Sequence, residues 1–179
     1  MRKCKAWFAR FYKDQQGFVS IFMILWMTVL LPMLLFVGLD LTQFIYENTR
    51  TKTVIDNASA SAVTRLNEDV IREGILKIDE AKATEVAERI IREGLHLDEN
   101  LEPLEGSPLV SKPTIDVQVV NVRNKNGYPV DTPTGDVMVY EPSVVIYAEY
   151  PVEGLFFTND ITLEKIGASQ ATFKTNVEE

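Results

Sequence analysis

Hydrophobic and polar residues follow three successive patterns along the chain. An uninterrupted apolar run from Gly17 to Leu39 contains no ionisable side chain. Between Leu41 and Leu66, apolar residues recur at spacings of three, four and seven, the period of one helix face. From Thr114 onward the period changes to two, which is typical of strands with one buried face. The pattern predicts an α+β protein with a long N-terminal helix and a small antiparallel sheet of three to five strands.

Residues 18–39 have the length and composition of a transmembrane helix. At about 1.5 Å per residue this segment covers about 33 Å, against a hydrocarbon core of about 30 Å. No small-x-small cleavage site follows the run, so we expect the span to be retained rather than removed as a signal peptide. Pro32 has no backbone N–H and predicts a helix kink, with the Thr28 hydroxyl as a candidate to bond the freed carbonyl.

The helix is expected to continue beyond the span. No Gly or Pro occurs between Leu39 and Gly74, so the sequence predicts helix through residues 40–66. The segment DNASASAV, residues 56–63, is small on nearly every face and allows close approach of another backbone, either the protein's own sheet or a neighbouring helix. The helix-packing residues predicted on the apolar stripe are Ile55, Ala58, Ala62 and Leu66.

Residues 68–94 have the pattern of two further helical pieces. In the second piece the apolar residues follow helical spacing, Asp79 can cap its start, and Gly94 stands where a C-terminal glycine belongs. Three prolines and Gly106 between Leu101 and Pro113 indicate a connecting segment. We therefore expect one or two helices to precede the sheet.

The sheet is predicted within residues 114–175. Asn124 to Gly127, NKNG, is a turn signal, and residues 128–136 contain too much Pro and Gly to favour a strand. Val144 to Tyr150 is apolar on both faces, which predicts a central strand with one face toward the helices. The predicted strands are residues 115–120, 137–140, 143–152, 161–166 and 168–175.

Charge divides the chain at the apolar run. Residues 1–17 carry five basic side chains against Asp14, which leaves a net charge of −12 for the remainder of a chain whose total is −8. Basic residues just before a span mark the cytoplasmic side, so we expect a cytoplasmic leader at 1–17 and an extracytoplasmic domain at 40–179. The leader is suited to contact anionic membrane lipid. The acidic domain argues against nucleic acid as a partner, because phosphate contacts require clustered Lys and Arg.

Candidate chemistry is sparse in this sequence. Cys4 is the only cysteine and lies on the predicted cytoplasmic side, and His96 is the only histidine, so we interpret it as a surface or capping residue. The acidic segments 98–105 and 131–136 are interpreted as solvated loops, with a divalent cation site as the alternative. We assign no catalytic, cofactor-binding or metal-ligating residue and do not expect an enzyme.

The order of features between residues 15 and 66 resembles the TadE/TadG-like minor pilins, or pseudopilins, of Flp/Tad pilus systems. The features are a basic leader, Gly17 directly before the span, Leu31-Pro32 in mid-span, the exit Gly38-Leu39-Asp40, and a helix closing in Asp56-Asn57-Ala58-Ser59-Ala60. An Ala-rich segment from Ala168 to Lys174 is similar to the end of the same family's domain.

The resemblance implies a pilin-like architecture and a structural or assembly role in an adhesive pilus or a related secretion or conjugation machine. It implies cleavage by prepilin peptidase between Gly17 and Phe18, and partners among the other subunits of the machine. Phe22 stands where pilins usually carry a glutamate, so both a filament subunit and a retained basal component remain open. The alternative function is a membrane-tethered extracytoplasmic module that binds a ligand or peptide or acts as a sensor.

Overall fold

The protein is an α+β chain with one long N-terminal helix. The computed structural model describes the backbone of residues 2–71, 75–152 and 161–172, and the side chains in these ranges from residue 19 onward except Asp69. The chain divides into two units, Met1–Thr42 and Gln43–Glu179. The helices are α1 (Arg2–Ala62), α2 (Glu68–Ile71) and α3 (Glu80–Leu95), and the strands are β1 (Thr114–Val120), β2 (Tyr128–Val130), β3 (Val137–Val139), β4 (Ser143–Val152) and β5 (Ile161–Gln170).

Helix α1 begins before the predicted span and ends before Leu66. It includes the basic leader from Arg2, and it ends at Ala62, four residues short of the predicted boundary. The chain leaves helical geometry because its backbone finds other partners. Leu66 forms an antiparallel bridge with Ile78, and the Asn67 N–H donates to the Lys77 carbonyl at 2.8 Å. The end of α1 contains no Gly or Pro, because it is determined by this pairing with residues further along the chain. It could therefore not be predicted from the local sequence.

Helix α3 begins where the sequence predicts and ends one residue later. The Asp79 carboxylate accepts the Lys82 backbone N–H at 3.3 Å, which confirms the predicted N-cap. The prediction that Gly94 ends the helix is wrong, since α3 continues to Leu95 and His96 takes the left-handed cap position at φ 53°. A Cβ on Gly94 would lie 2.7 Å from the Val54 Cγ atoms, so this glycine instead permits close approach of α3 to α1.

Strands β1, β4 and β5 form a three-stranded antiparallel sheet in the order β1-β4-β5, which confirms β4 as the central strand. Ile146 of β4 pairs with Val117 of β1 and with Gly167 of β5. The two strands predicted at 161–166 and 168–175 are one strand as far as Gln170, and residues 173–175 lie outside the described residues.

Strands β2 and β3 form a separate two-stranded antiparallel sheet. The prediction that residues 128–136 contain no strand is therefore wrong, because Tyr128–Val130 forms β2. Pro129 is tolerated here because a strand with one unpaired side does not need every N–H for pairing. The predicted turn is confirmed, since the Gly127 N–H donates to the Asn124 carbonyl at 3.0 Å and Gly127 has φ 82°.

The three-stranded sheet carries apolar side chains on both faces. One face of β4, including Val144, Ile146 and Tyr150, packs into the main core with residues of α1 and α3. The opposite face contributes Val145 to a smaller core with Val130 and Val139 of the two-stranded sheet. The helices and the hairpin β2–β3 thus cover opposite faces of one sheet.

Candidate functional site

One described helix is long and apolar enough to cross a membrane. It is the part of α1 from Val19 to Ala62, and none of its most apolar 18-residue window is buried. The large apolar side chains of this window are exposed, among them Leu25 and Val29 at 62% and 65%. A surface of this kind is stable in lipid and costly in water.

The structure describes the neighbourhood of Pro32 in the predicted span, whereas the kink and the cleavage site stay predictions. The Thr28 hydroxyl donates to the Ile24 carbonyl at 2.7 Å, one turn earlier than the carbonyl freed by Pro32. Helix α1 continues through Pro32, and the kink there stays a prediction. Gly17 and Phe18 belong to α1 by their backbone, but the side chains are described only from residue 19 onward, so the cleavage site also stays a prediction.

The predicted helix-packing residues lie in the core of their own domain. Ile55, Ala58 and Ala62 are fully buried in the main core, and Leu66, just beyond the end of α1, packs against it while remaining partly exposed. Of the two partners left open for the small-residue segment, the structure shows the protein's own sheet.

The contact between α1 and β5 depends on small and polar residues. A Cβ on Gly167 would lie 2.7 Å from Ile55 Cγ2 and 3.0 Å from the Ile55 carbonyl oxygen. The Ser59 and Ser169 hydroxyl oxygens are 2.9 Å apart, and the Lys52 ammonium donates to the Ile166 carbonyl at 2.7 Å. The helix therefore lies against the strand backbone itself.

A buried tyrosine connects the central strand to α1. The Tyr150 hydroxyl donates to Asn48 Oδ1 at 3.3 Å, and the tyrosine side chain is fully buried. Burial raises the pKa of Tyr150 to about 12, while the Thr51 hydroxyl opposes this shift. The folded state therefore favours the neutral phenol.

Tyr150→Phe is expected to reduce the loss of stability between pH 10 and pH 12. An unfolded tyrosine ionises near pH 10, whereas Tyr150 in the folded protein keeps its proton to about pH 12. The free energy of unfolding that the buried neutral phenol contributes is therefore fully present below pH 10 and is lost as the pH rises from 10 to 12. Denaturant titrations of the detergent-solubilised protein at pH 9 and pH 11 measure the difference. Tyr128→Phe, at an exposed tyrosine, is the control. An equal pH dependence in wild type and Tyr150→Phe would contradict the assignment.

His96 and the acidic segment 98–105 have structural roles in the described chain. His96 caps α3, which confirms the capping interpretation, and Asp98 Oδ1 accepts the backbone N–H groups of Asn100 and Glu102, both at 2.8 Å. Within residues 2–71, 75–152 and 161–172, no group of three or more His, Cys, Asp or Glu side chains is arranged to hold a metal ion. The Asp98 carboxylate orders its own loop.

A second acidic group lies on the face of the three-stranded sheet opposite the helices. Glu149 of β4 is directly opposite Glu164 of β5. Tyr147, the next residue of β4 on the same face, is directly opposite Asp116 of β1. Burial raises the pKa of Tyr147, and the charges of Glu164 and Glu149 raise it further. Like charges directly opposite one another in a sheet are unfavourable.

Comparisons of the chain with protein-family models, curated proteins and solved structures find no match. The resemblance to TadE/TadG-like proteins therefore depends on the order of sequence features between residues 15 and 66.

The acidic sheet face was not predicted from the sequence. Strict alternation places Asp116 on the face opposite Ile115 and Val117, but it does not say which strand lies beside it. Glu149 and Glu164 become neighbours only through the register of β4 with β5. The one available sequence signal was the presence of a carboxylate at a non-core position of the predicted strands 115–120, 143–152 and 161–166.

Proposed function

We propose that this chain is a single-pass membrane protein similar to the TadE-like minor pilins. In this proposal it acts as a structural or assembly component of a Flp/Tad-type pilus or a related secretion or conjugation machine. The basic leader supports a cytoplasmic N-terminus, which makes the C-terminal domain extracytoplasmic at a bacterial cytoplasmic membrane.

The observation that carries the proposal is the double use of α1. Its apolar part has the length of a membrane span, and Ile55, Ala58 and Ala62 of the same helix are core residues of the C-terminal domain. In a protein with a dispensable anchor, removal of the anchor helix leaves the domain core intact. Here the helix that enters the membrane is also part of the fold, as expected for a pilin-like subunit.

Phe22 supports an assembly role over that of a main filament subunit. It stands where pilins usually carry a glutamate, and it is 55% exposed on the apolar segment of α1. An apolar side chain avoids the cost of a carboxylate in lipid but provides no charge to pair with the amino group of a neighbouring subunit. A basal or priming component does not need that pair.

Gly17→Leu is expected to block processing of the protein in its native host. Prepilin peptidase cuts after a glycine that precedes the apolar helix, and a bulky residue at this position should leave residues 1–17 attached. N-terminal sequencing and intact mass of the membrane-extracted protein measure the cut, with a start at Phe18 expected for wild type. Gly38→Leu is the matched control, because a Cβ at Gly38 meets nothing within 4 Å.

Co-purification completes the test. A detergent-extracted wild-type protein that starts at Phe18 and brings other pilus or secretion subunits with it supports the proposal. A protein that keeps Met1 and co-purifies with none of these subunits overturns it and favours the membrane-tethered binding or sensory module.

A further inference from the structure

Strand β1 is an open edge of the three-stranded sheet. The order β1-β4-β5 leaves one side of β1 and one side of β5 without a neighbouring strand. The β5 strand is approached closely by α1, since the Lys52 ammonium donates to the Ile166 carbonyl at 2.7 Å and a Cβ on Gly167 would lie 2.7 Å from Ile55 Cγ2. Strand β1 contains no Pro or Lys, the residues by which edge strands commonly prevent further pairing, so its edge is suited to an additional strand.

The hydrogen-bonding pattern of the sheet identifies the backbone groups of β1 that face its free edge. The Ala171 N–H donates to the Pro142 carbonyl at 2.8 Å, directly beyond the pair Ser143–Gln170. Bonded and non-bonded pairs alternate in an antiparallel ladder, so the odd-numbered residues of β4 direct their N–H and C=O groups toward the even-numbered residues of β1. Three residues of β1 therefore direct their backbone groups to the free edge: Ile115, Val117 and Val119. Within the described residues, these three make no backbone hydrogen bond outside the sheet.

A groove of about 490 Å³ lies beside this edge. Its described lining consists of Glu80, residues 117–120 of β1, and residues 128–131, which include β2. Tyr128 is 43% exposed, whereas Val130 is buried. The groove thus offers free backbone groups next to aromatic and aliphatic side chains, the combination by which a sheet edge binds an extended peptide.

The charged residues of the groove are acidic. Among its described lining residues only Glu80 and Asp131 carry a charge, both are exposed, and neither makes an ion pair within the described residues. Glu80 begins α3, which packs on the helix side of the sheet, and Asp131 follows β2 on the hairpin side. The side chains of an added strand alternate between these two sides, so each side of the strand meets a carboxylate. Charge complementarity therefore favours a strand that carries Lys or Arg.

We propose that β1 binds an extended, basic segment of a partner protein, which adds to the three-stranded sheet as a fourth strand. The free backbone groups of Val117 and Val119 hydrogen-bond to the backbone of this segment. Its Lys or Arg side chains pair with Glu80 and Asp131, and its apolar side chains cover Tyr128. This inference goes beyond the proposed function.

A second copy of this chain does not fit the same edge. Two β1 edges related by a two-fold axis run antiparallel, and their acidic grooves repel each other. Helix α1 runs along β5 in one direction, from Lys52 beside Ile166 to Ser59 beside Ser169, so the α1 helices of two such copies would run in opposite directions. Copies with the same orientation in one membrane cannot adopt this arrangement. Only this exclusion uses the membrane orientation of the proposed function.

Peptide binding to the full-length, detergent-solubilised protein tests the proposal. The probe is a fluorescently labelled peptide of eight residues in which Val alternates with Lys or Arg, with acetyl and amide ends. We expect it to bind at least tenfold more tightly than the same peptide with Glu in place of Lys and Arg. Glu80→Gln with Asp131→Asn is expected to weaken binding of the basic peptide about tenfold. Glu85→Gln with Glu88→Gln, on exposed positions of α3, makes the same charge change and should leave the affinity unchanged.

Amide hydrogen exchange of the wild-type protein locates the bound peptide. Saturating basic peptide is expected to slow exchange of the Val117 and Val119 amides at least tenfold, because these N–H groups face the free edge. The Asp116 and Gln118 amides already bond to β4 and should keep their exchange rates. Unchanged exchange at Val117 and Val119, no binding of the basic peptide, equal affinity for the two peptides, or equal effects of the two double variants would each overturn the proposal. Protection of Val117 and Val119 that rises with protein concentration in the absence of peptide would also overturn it, in favour of a second copy.

Discussion

Gly167→Val is expected to lower the free energy of unfolding by about 3 kcal/mol, because overpacking of a closely approached backbone cannot be relieved by a rotamer change. A Cβ at this position would lie 3.0 Å from the Ile55 carbonyl oxygen and 3.2 Å from the Ile55 carbonyl carbon. These are main-chain atoms of α1, so either the helix or β5 must move. For a domain of this size the change corresponds to a fall in Tm of about 10 °C.

The neighbouring residue in the same strand provides the control. Ala168 alternates to the opposite face of β5 and is exposed, so Ala168→Val adds similar bulk without meeting α1. Thermal unfolding of both variants in the same detergent, followed by circular dichroism, measures the difference. Equal Tm values for the two variants would contradict the close approach of α1 and β5.

Features encoded by local pattern were predicted from the sequence. The apolar run, the helical stripe through Ile55, Ala58 and Ala62, the Asp79 cap and the central position of β4 each follow from a period, a side-chain type or burial on two faces. Each depends on residues close together in the chain. The α+β class could be predicted from the sequence because it depends on the same local patterns.

Features that depend on distant partners were missed. Gly94 looks like a helix end, but it is needed where α3 meets Val54, and the left-handed cap is taken by His96. Strand β2 was rejected because of Pro129, although pairing with β3 uses only one of its sides. The end of α1 at Ala62 follows from the pairing of Leu66 with Ile78. No local rule contains these contacts.

The candidate surfaces divide in the same way. The candidate membrane span was predicted from composition, whereas the acidic part of the sheet requires the register that brings Glu149 opposite Glu164. Ile55, Ala58 and Ala62 of the predicted stripe on α1 are buried, but their partner could not be chosen from sequence. Gly167 and Ser169, more than 100 residues away in the chain, provide that partner.

Leu25→Arg together with Val29→Arg is expected to remove the protein from the membrane fraction. Both side chains are exposed on the apolar part of α1, and each arginine near the centre of a span costs about 3 kcal/mol, so the pair costs about 6 kcal/mol. Ile45→Arg with Thr49→Arg has the same spacing on exposed positions of the same helix beyond residue 39, and should stay membrane-bound. Resistance to extraction with alkaline carbonate measures both variants. Carbonate resistance of the Leu25 and Val29 variant would mean that α1 does not cross the membrane through this segment.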